Sequence, residues 1–511
     1  MGPGAIAREL ALLLRESTTS AWKSAVVRML NGADGYTVNA SSDTESYLSL
    51  DWQRLAELSR RAPSSVHELR LSHTGEYTYL ATPKVEGLSP AWLVFDQDFR
   101  YPGHPLPGMP LPERSLPTGA PTEPAVLARI TALTAEFAEL YTGIKGHAPN
   151  WAPGCTEARL AEAEERIGAR LPEDLRALYR VSDQDSETGL LGRYSHESLG
   201  RLVAQYLEGR PGQHGWQERL SDEGVVSGTS PAGRVKRLSR NDWWVTFGTD
   251  HAGDHLAVDL DPAGNGDSGQ VLEYGRNVWG PPRYVAPSVT AMLEEVLRAL
   301  RAGEFREPGS ARLIAEAAFH NDSFRAHDEV MTETTDVGAI AEPELVQELY
   351  LNDPGSVDLA ILNPLPSLRY LRVNRAGSVV ANLSGLPSLE AADLHATEVR
   401  LAGHPTLWSL SLTGVRHPID FGTLTAFPRL TRLKLAGLDV PELERVGELG
   451  SLRVLTLDHG QVQRLFDAGA DLPRLAALEI TGEASLRELV DLVERLRPGT
   501  SAVTEVSGSL A

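Results

Sequence analysis

The sequence predicts an α+β, multi-domain chain whose last third is an α/β solenoid of short repeats. Three observations carry this reading. The chain has 511 residues, too many for one core at the usual ~100–200 residues per domain. Helical apolar stripes and alternating strand-like runs are interspersed up to residue 307. From residue 341 one apolar pattern recurs with steps of 18 to 23 residues.

Composition narrows the function classes. Hydrophobic content of 41% and charged content of 23% are ordinary globular values. No apolar run reaches the ~18–20 residues of a membrane helix. The opening residues Met1 to Glu9 lack a basic segment, and Arg8, Glu9, Arg15 and Glu16 interrupt the apolar stretch, so they do not read as a signal peptide. Ile6 stands where a myristoylation signal needs Ser or Thr. A lone cysteine, Cys155, makes neither an internal disulfide nor a Cys-rich zinc site, and reads as a small buried or surface residue. A cytoplasmic location is expected. The net charge of −21, with no basic run of five or more, argues against nucleic-acid binding. It suits solubility, and it can steer a basic partner.

Residues 1–104 read as a small α+β domain of unknown type. A helix is predicted over ~4–15 and another over Leu55–Arg61, with strands from Trp22 to Met29 and at His67–Ser72, Tyr77–Thr82 and Ala91–Phe95. Residues 105–124 are too rich in proline for helix or central strand, and read as a semi-rigid linker or a covering segment. A middle domain is expected over 125–307. A helix leads in at Pro124–Thr142. Thr156 then caps a helix with the stripe Leu160, Ala163 and Ile167, which Gly168 ends. Leu171-Pro172 opens a third helix. Strands follow at Trp243–Gly248, His255–Leu260 and Gln270–Tyr274, the last two separated by a turn-forming run from Asp261 to Asp267. Ser288 caps a closing helix that stops at Gly303. Residues 308–340 are expected to be a helical connector, with a helix at Ser310–Phe319.

In the last segment, 341–511, Leu-x-x-Leu-x-Leu recurs. It appears as Val346/Leu349/Leu351, Leu368/Leu371/Val373, Leu389/Ala392/Leu394, Leu407/Leu410/Leu412, Leu430/Leu433/Leu435, Leu452/Leu455/Leu457 and Leu475/Leu478/Ile480. The first positions are 22, 21, 18, 23, 22 and 23 residues apart. Proline stands two residues before five of them: Pro366, Pro387, Pro405, Pro428 and Pro473. This resembles a leucine-rich-repeat region. One unit cannot bury its own leucines; stacked units share a continuous core. The family's asparagine three residues after the last leucine is replaced by Pro354, Ala376, Thr397, Val415, Leu438, Gly460 and Glu483. An irregular, short solenoid is therefore expected, with a tight turn at the 18-residue step.

Strand side chains alternate, so the residues between the leucines face a concave surface. Tyr350, Tyr370, Arg372, Asp393, His395, Arg432, Lys434 and Asp458 are the candidate partner contacts there. Trp243, which with Trp244 straddles two faces of a strand, and Asp254 are the candidates from the middle domain.

No nucleophile elbow, phosphate loop or dinucleotide fingerprint is present. His251 and His255 have metal-ligand spacing only on a helix, and Gly253 places them in a turn. Asp259, Asp261, Asn265 and Asp267 miss the calcium-loop spacing and suit a tight turn. Ser195-His196-Glu197 are sequence neighbours, which rarely face one another as a triad. No cofactor, metal or catalytic residue is expected.

The middle segment resembles the SUKH superfamily in its Smi/Knr branch. The stretches that carry the resemblance are Glu164 to Leu175, Trp244 to Gly248 with Gly253 to Pro262, and Gly269 to Leu272 followed by the helix from Ser288. Their order fits across ~155–305. Val181 to Asp185 departs from the family, which often has an asparagine-glycine turn there. The resemblance implies a non-catalytic α+β domain. Bacterial members commonly serve as immunity proteins that bind and neutralise toxins, and yeast relatives regulate cell-wall synthesis and act as partner hubs. Richness in Ala, Arg, Gly and Leu suits a high-GC bacterium. The expected function is thus a bacterial immunity protein with a protein partner, no nucleic acid and no membrane. The alternatives are a scaffold or regulatory adaptor and, more distantly, an enzyme with its site in the N-terminal domain.

Overall fold

A computed structural model describes the whole chain except residues 19–20, 33–34, 87–90, 107, 113–114, 186–187, 209–223, 279–280, 310–311, 318–327, 333–336, 341, 471, 473, 483, 500–501 and 511, with backbone alone over 328–332. The chain divides into two units. One comprises residues 1–99, 330–344 and 349–511, the other residues 100–329 and 345–348.

The first unit opens with α1 (Pro3–Ser17), which has proline in its first turn and buries Ile6, Leu10, Leu13 and Leu14. The strands β1 (Ser24–Gly32) and β2 (Gly35–Ser42) form an antiparallel hairpin. The alternation of Tyr36, Val38 and Ala40 with Thr37, Asn39 and Ser41 turns one face of β2 toward the core of this sheet, a strand the sequence reading did not mark. Asp51 caps α2 (Trp52–Arg61), its carboxylate accepting from the Gln53 and Arg54 N–H groups. The strands β3 (Ser65–Ser72) and β4 (Glu76–Thr82) complete an antiparallel sheet whose buried face presents Val27, Leu69, Leu71 and Tyr79 to the helices. Two short strands follow, β5 (Val85–Glu86) and β6 (Ala91–Val94).

In the second unit α3 (Pro124–Lys145) is followed by α4 (Glu157–Ile167) and α5 (Glu173–Val181). The Thr156 side chain accepts from Arg159 N–H, and Gly168 ends α4 in the left-handed region at φ 81°. Next come β7 (Ser195–His196) and α6 (Leu199–Glu208). The strands β8 (Trp244–Thr249), β9 (Asp254–Asp259), β10 (Gln270–Gly275) and β11 (Arg283–Ala286) form with β7 one antiparallel sheet, in the order β11-β10-β9-β8-β7. The closing helix α7 (Val289–Arg301) is capped by Ser288. Phe137, Leu178, Phe247, Val258 and Val296 share one core. The proline-rich stretch covers this unit. Its Gly108 and Met109 N–H groups donate to Asp242, and the Ser115 carbonyl accepts from Arg170 N–H.

Where a helical connector was expected over 308–340, the described residues differ. The strands β12 (Phe305–Arg306) and β13 (Ile314–Ala315) pair antiparallel, so the described part of the helix expected at Ser310–Phe319 contains a strand. Ile314, Ala315 and Ala317 are buried, and a segment burying neighbours on both sides cannot show a helical period. The strand β14 (Asp328–Thr332) follows.

The first unit resumes at Leu349, within β15 (Glu348–Asn352), and continues with β16 (Ser356–Asp358), β17 (Tyr370–Ala381), β18 (Ala391–Leu401) and β19 (Ser409–Thr413). After the single helical turn α8 (Phe421–Leu424) come β20 (Arg432–Lys434), β21 (Val454–Asp458), α9 (His459–Asp467), β22 (Ala477–Thr481) and α10 (Leu486–Leu496). The strands β17 to β22 pair parallel in sequence order. Every apolar position of the seven-fold pattern is buried, from Val346 to Ile480.

The 18-residue step between Leu389 and Leu407 is not a tight turn. There β18 continues past its bend, and Glu398 to Leu401 pair parallel with Ser378 to Ala381 of β17. An extended residue advances ~3.3 Å against ~1.5 Å in a helix, so an extended return needs fewer residues. The steps of 22 and 23 after Leu430 and Leu452 return through helical turns instead.

The ends of the chain interlock within this unit. The strand β6 pairs antiparallel with β22, and β23 (Thr504–Ser509) pairs antiparallel with β4. Buried Glu68 ties the join: it pairs with Arg28 at 2.6 Å and accepts from the Leu486 N–H at the start of α10 at 3.0 Å.

Candidate protein-binding surface

Registry between the parallel strands decides which candidate side chains meet. Arg372, Asp393, Ser411, Lys434, Thr456 and Glu479 occupy one cross-strand row. Pairing of β22 with β6 and of β6 with β5 extends that row to Trp92 and Glu86. Local patterns could not have placed the last two beside the repeats, since the pairing spans almost the whole chain. Row neighbours lie on one face, ~5 Å apart.

The half-buried end of this face is built around two tyrosines. The rings of Tyr350 and Tyr370 meet edge-to-face at 5.8 Å and 70°. The Tyr370 hydroxyl donates to the Asp393 carboxylate at 2.7 Å. Burial first, and then the Asp393 charge, hold that hydroxyl protonated far above the ordinary tyrosine range. Arg372 and His395 flank the pair and are exposed. Arg372 Nε donates to Asn374, and Asn374 donates to Asn352 at 2.7 Å, so the rim is held by a polar ladder. At the corner below, Asp353 and Arg375 both adopt left-handed backbone, at φ 53° and 55°, and their side chains form an ion pair. Five candidates thus gather here: Tyr350, Tyr370, Arg372, Asp393 and His395. Lys434 is half-buried two strands along the row from Asp393.

The remaining candidates do other work. Arg432 is only 5% exposed, and it donates to Ser409 Oγ at 3.3 Å. Asp458 is a helix cap: its side chain accepts from Gln461 N–H at 2.8 Å and Gly437 N–H at 3.0 Å. Trp243 is buried in the core of the second unit, where its Nε1–H donates to the Met109 carbonyl at 3.1 Å. Trp244, on the opposite face, is buried as well, with Val235, Ala257, Leu272 and the ring of Tyr274. The sheet is covered on both faces, so neither tryptophan presents a free ring. Asp254 is buried too. It accepts from Asn277 N–H at 2.7 Å and pairs with Arg193 at 3.3 Å, beside the Tyr194–Glu273 contact.

Of the polar groups weighed as chemistry, Cys155 and the carboxylates of the 259–267 turn are engaged, whereas Ser195 Oγ, both His196 ring nitrogens and His255 Nδ1 are buried without a hydrogen-bond partner among the described residues. Buried Cys155 donates to Asp183 at 3.0 Å, and burial followed by that hydrogen bond pushes its thiol up to about 12, far from a reactive thiolate. Burial raises the Asp259 carboxyl to about 6, and it accepts from Gln270 and from Asp261 N–H. Asp261 pairs with Lys236 at 2.6 Å, and Asp267 pairs with Arg234 at 3.2 Å. Among the described residues no group of three or more His, Cys, Asp or Glu is arranged to hold a metal ion. Among them, too, no helix is long and apolar enough to cross a membrane.

Comparison with known proteins bears on the second unit. The chain is similar to the cell wall assembly regulator SMI1 of Saccharomyces cerevisiae (strain ATCC 204508 / S288c), at 25% identity over 24% of this chain and 31% of the yeast protein. A solved internalin (inlF) from Listeria monocytogenes str. 4b F2365 matches 29% of this chain and 52% of its own at 11% identity, with a TM-score of 0.19, too low to bear on the fold. The family model for the SMI1 / KNR4 family (SUKH-1) matches residues 154–295, which run from just before α4 into α7. The ordered stretches from Glu164 to the helix at Ser288 lie on this helix pair, antiparallel sheet and closing helix, and residues 154–295 are accordingly a SUKH domain of the Smi/Knr branch.

Proposed function

We propose that this chain is a non-catalytic protein-binding protein whose repeats form a leucine-rich-repeat solenoid, and that it acts as an immunity protein which binds and neutralises a toxin. The observation that carries the binding reading is the Tyr350–Tyr370–Asp393 cluster. It is a rigid aromatic pair, locked by a 2.7 Å hydrogen bond and flanked by exposed Arg372 and His395. Aromatic rings fixed before binding lose little entropy on complex formation, and Tyr and Arg are favoured binding anchors. The buried leucine register and its parallel strands support the solenoid. The SUKH domain supports the immunity role, since bacterial members of the family commonly have it.

A second reading is an intracellular regulator or adaptor, and the likeness to a yeast cell wall assembly regulator favours it. Affinity purification of the tagged full chain separates the two. The immunity reading expects one dominant partner whose toxicity in a co-expressing cell the chain suppresses. Tyr370→Ala with Arg372→Glu should weaken that capture and lose the rescue. Several modest partners without rescue would favour the adaptor, and capture indifferent to both substitutions would remove the concave cluster from the reading.

A further inference from the structure

A second surface lies in the N-terminal part of the first unit. Among the described residues two aromatic side chains are strongly exposed, Tyr47 at 60% and Trp52 at 53%, and they stand five positions apart. Solvating large rings without a partner is costly, so a pair of them marks a contact surface more than a lone exposed leucine would. The half-buried ring of Tyr36 lies 6.3 Å from Trp52, and the Tyr36 hydroxyl donates to the Trp52 carbonyl at 3.4 Å. The Leu48 N–H donates to the Ala40 carbonyl at 2.8 Å, which brings Tyr47 back beside β2. Tyr36 belongs to this strand, the Trp52 ring lies against it, and the backbone that carries Tyr47 runs beside it.

That strand is the sheet edge, the order being β2-β1-β3-β4-β23. Ala40 directs its carbonyl away from β1, and in an antiparallel ladder residues two apart share that direction. The backbone groups of Tyr36 and Val38 thus face outward, with no bonding strand beside them among the described residues.

The charge of this segment has one sign. Residues 29–53 contain Asp34, Asp43, Glu45 and Asp51, and neither Lys nor Arg. Asp43 and Asp51 are exposed, and hydrogen bonds from backbone N–H groups fix their carboxylates. The bond from Lys23 N–H is the largest influence holding Asp43 ionised below the usual carboxylate range. Asp43 lies against Lys23, whereas Asp51 adjoins Trp52 in the chain, and an exposed ring next to a fixed carboxylate attracts a cationic side chain twice, through the ring face and through charge.

We propose that this edge docks an extended basic segment of a partner protein, which adds its backbone to β2 at Tyr36–Val38 and lays Lys or Arg side chains over Trp52 and Tyr47. The inference does not depend on the concave surface of the repeats or on a toxin partner. The test is fluorescence anisotropy with the full chain and two labelled peptides of about ten residues, Lys alternating with Val and Glu alternating with Val, a length that matches one edge strand. The Lys peptide should bind, more weakly as salt rises, and the Glu peptide should not. Trp52→Ser and Tyr47→Ser should each weaken binding about tenfold, as loss of one aromatic anchor does, while the melting temperature stays unchanged. Both substitutions leave the net charge at −21, so general attraction to an acidic chain predicts no change. Equal binding of the two peptides, or unaltered binding by both variants, would overturn the proposal.

Discussion

Removing one charge from the pair that joins α4 and α5 should destabilise the SUKH domain more than removing both. Glu164 and Arg176 are each 1% exposed, with Arg176 Nη1 and Glu164 Oε1 2.5 Å apart. Glu164 also accepts from the Leu171 N–H at 2.9 Å, and Arg176 Nη2 reaches the partly exposed Glu157 at 2.9 Å. Glu164→Gln preserves the shape but leaves the buried guanidinium with only partly exposed carboxylates as anionic partners, Glu157 at 2.9 Å and Glu173 at 4.0 Å. Breaking one side of such a pair costs ~3–5 kcal/mol, and the surviving Glu157 contact places this case near ~3 kcal/mol. For a unit of this size that is a fall of about 6–12 °C in melting temperature. Glu164→Leu with Arg176→Met exchanges the charges for apolar volume and should cost far less. The chain has two units, so calorimetry should resolve two transitions, of which only one moves. A fall below about 2 °C in Glu164→Gln, or a double variant as damaged as the single one, would refute the account.

Three further outcomes are expected. Burial lowers the His196 imidazole to about 4, so the folded state binds fewer protons than the unfolded one between pH 6.5 and 4. Stability is complete above pH 6.5 and falls by ~3 kcal/mol as pH drops through about 4; His196→Phe should flatten that slope in denaturant titrations at stepped pH, and an unchanged slope would count against the assignment. Burial raises the Glu86 carboxyl to about 7, so its proton favours the folded state and that stability is lost as pH rises through about 7. Glu86 is half-exposed, so Glu86→Gln should add only about 1 kcal/mol at pH 8 and nothing below pH 4.5, read as melting temperature at both values. Deleting residues 502–511 removes β23 and should expose to hydrogen exchange the alternate β4 amides between Tyr77 and Ala81 that face it, while those bonded to β3 stay protected; protection as in the full chain would show that β23 contributes nothing to the sheet.

The parts legible in the sequence were those set by local chemistry. Thr156, Gly168 and Ser288 mark helix ends because a hydroxyl can accept an orphan N–H and a glycine can turn left-handed, and all three stand where expected. The leucine register was legible because the same buried face recurs at each step. Side-chain alternation was read correctly too, but it cannot tell an open face from a covered one. That is why Trp243, Asp254 and Arg432 looked like contacts and are buried. Asp458 was misplaced for another reason: a polar residue after the last leucine of a repeat serves the helix that follows when that helix starts at once. The edge formed by Tyr36, Tyr47 and Trp52 went unnoticed because the short alternation of Tyr36, Val38 and Ala40 does not say whether its strand is central or at an edge, and the loop at 43–51 has no regular structure.

The interlocked ends change how the binding surfaces must be tested. A parallel sheet exposes its last strand, whose free backbone groups invite another chain. Here β6 occupies that edge from the N-terminal side, while β23 returns to the N-terminal sheet. Removing residues 341–511 would therefore strip β4 of its neighbour and leave β6 without its partner, together with the Glu68 contact to Leu486. Loss of a partner after that deletion would report unfolding of the N-terminal sheet as readily as loss of a contact. Point substitutions at exposed or half-exposed side chains avoid the ambiguity. Tyr370 and Arg372 test the face formed by β17 and β18, Tyr47 and Trp52 test the sheet edge, and none of them contributes to the joins at β6 or β23. Both surfaces belong to the same unit. If one partner spans them, its affinity gains from the fixed distance between two attachment points, and a double substitution costs more than binding at either point alone can account for. If two partners use them, each substitution affects its own partner and leaves the other untouched.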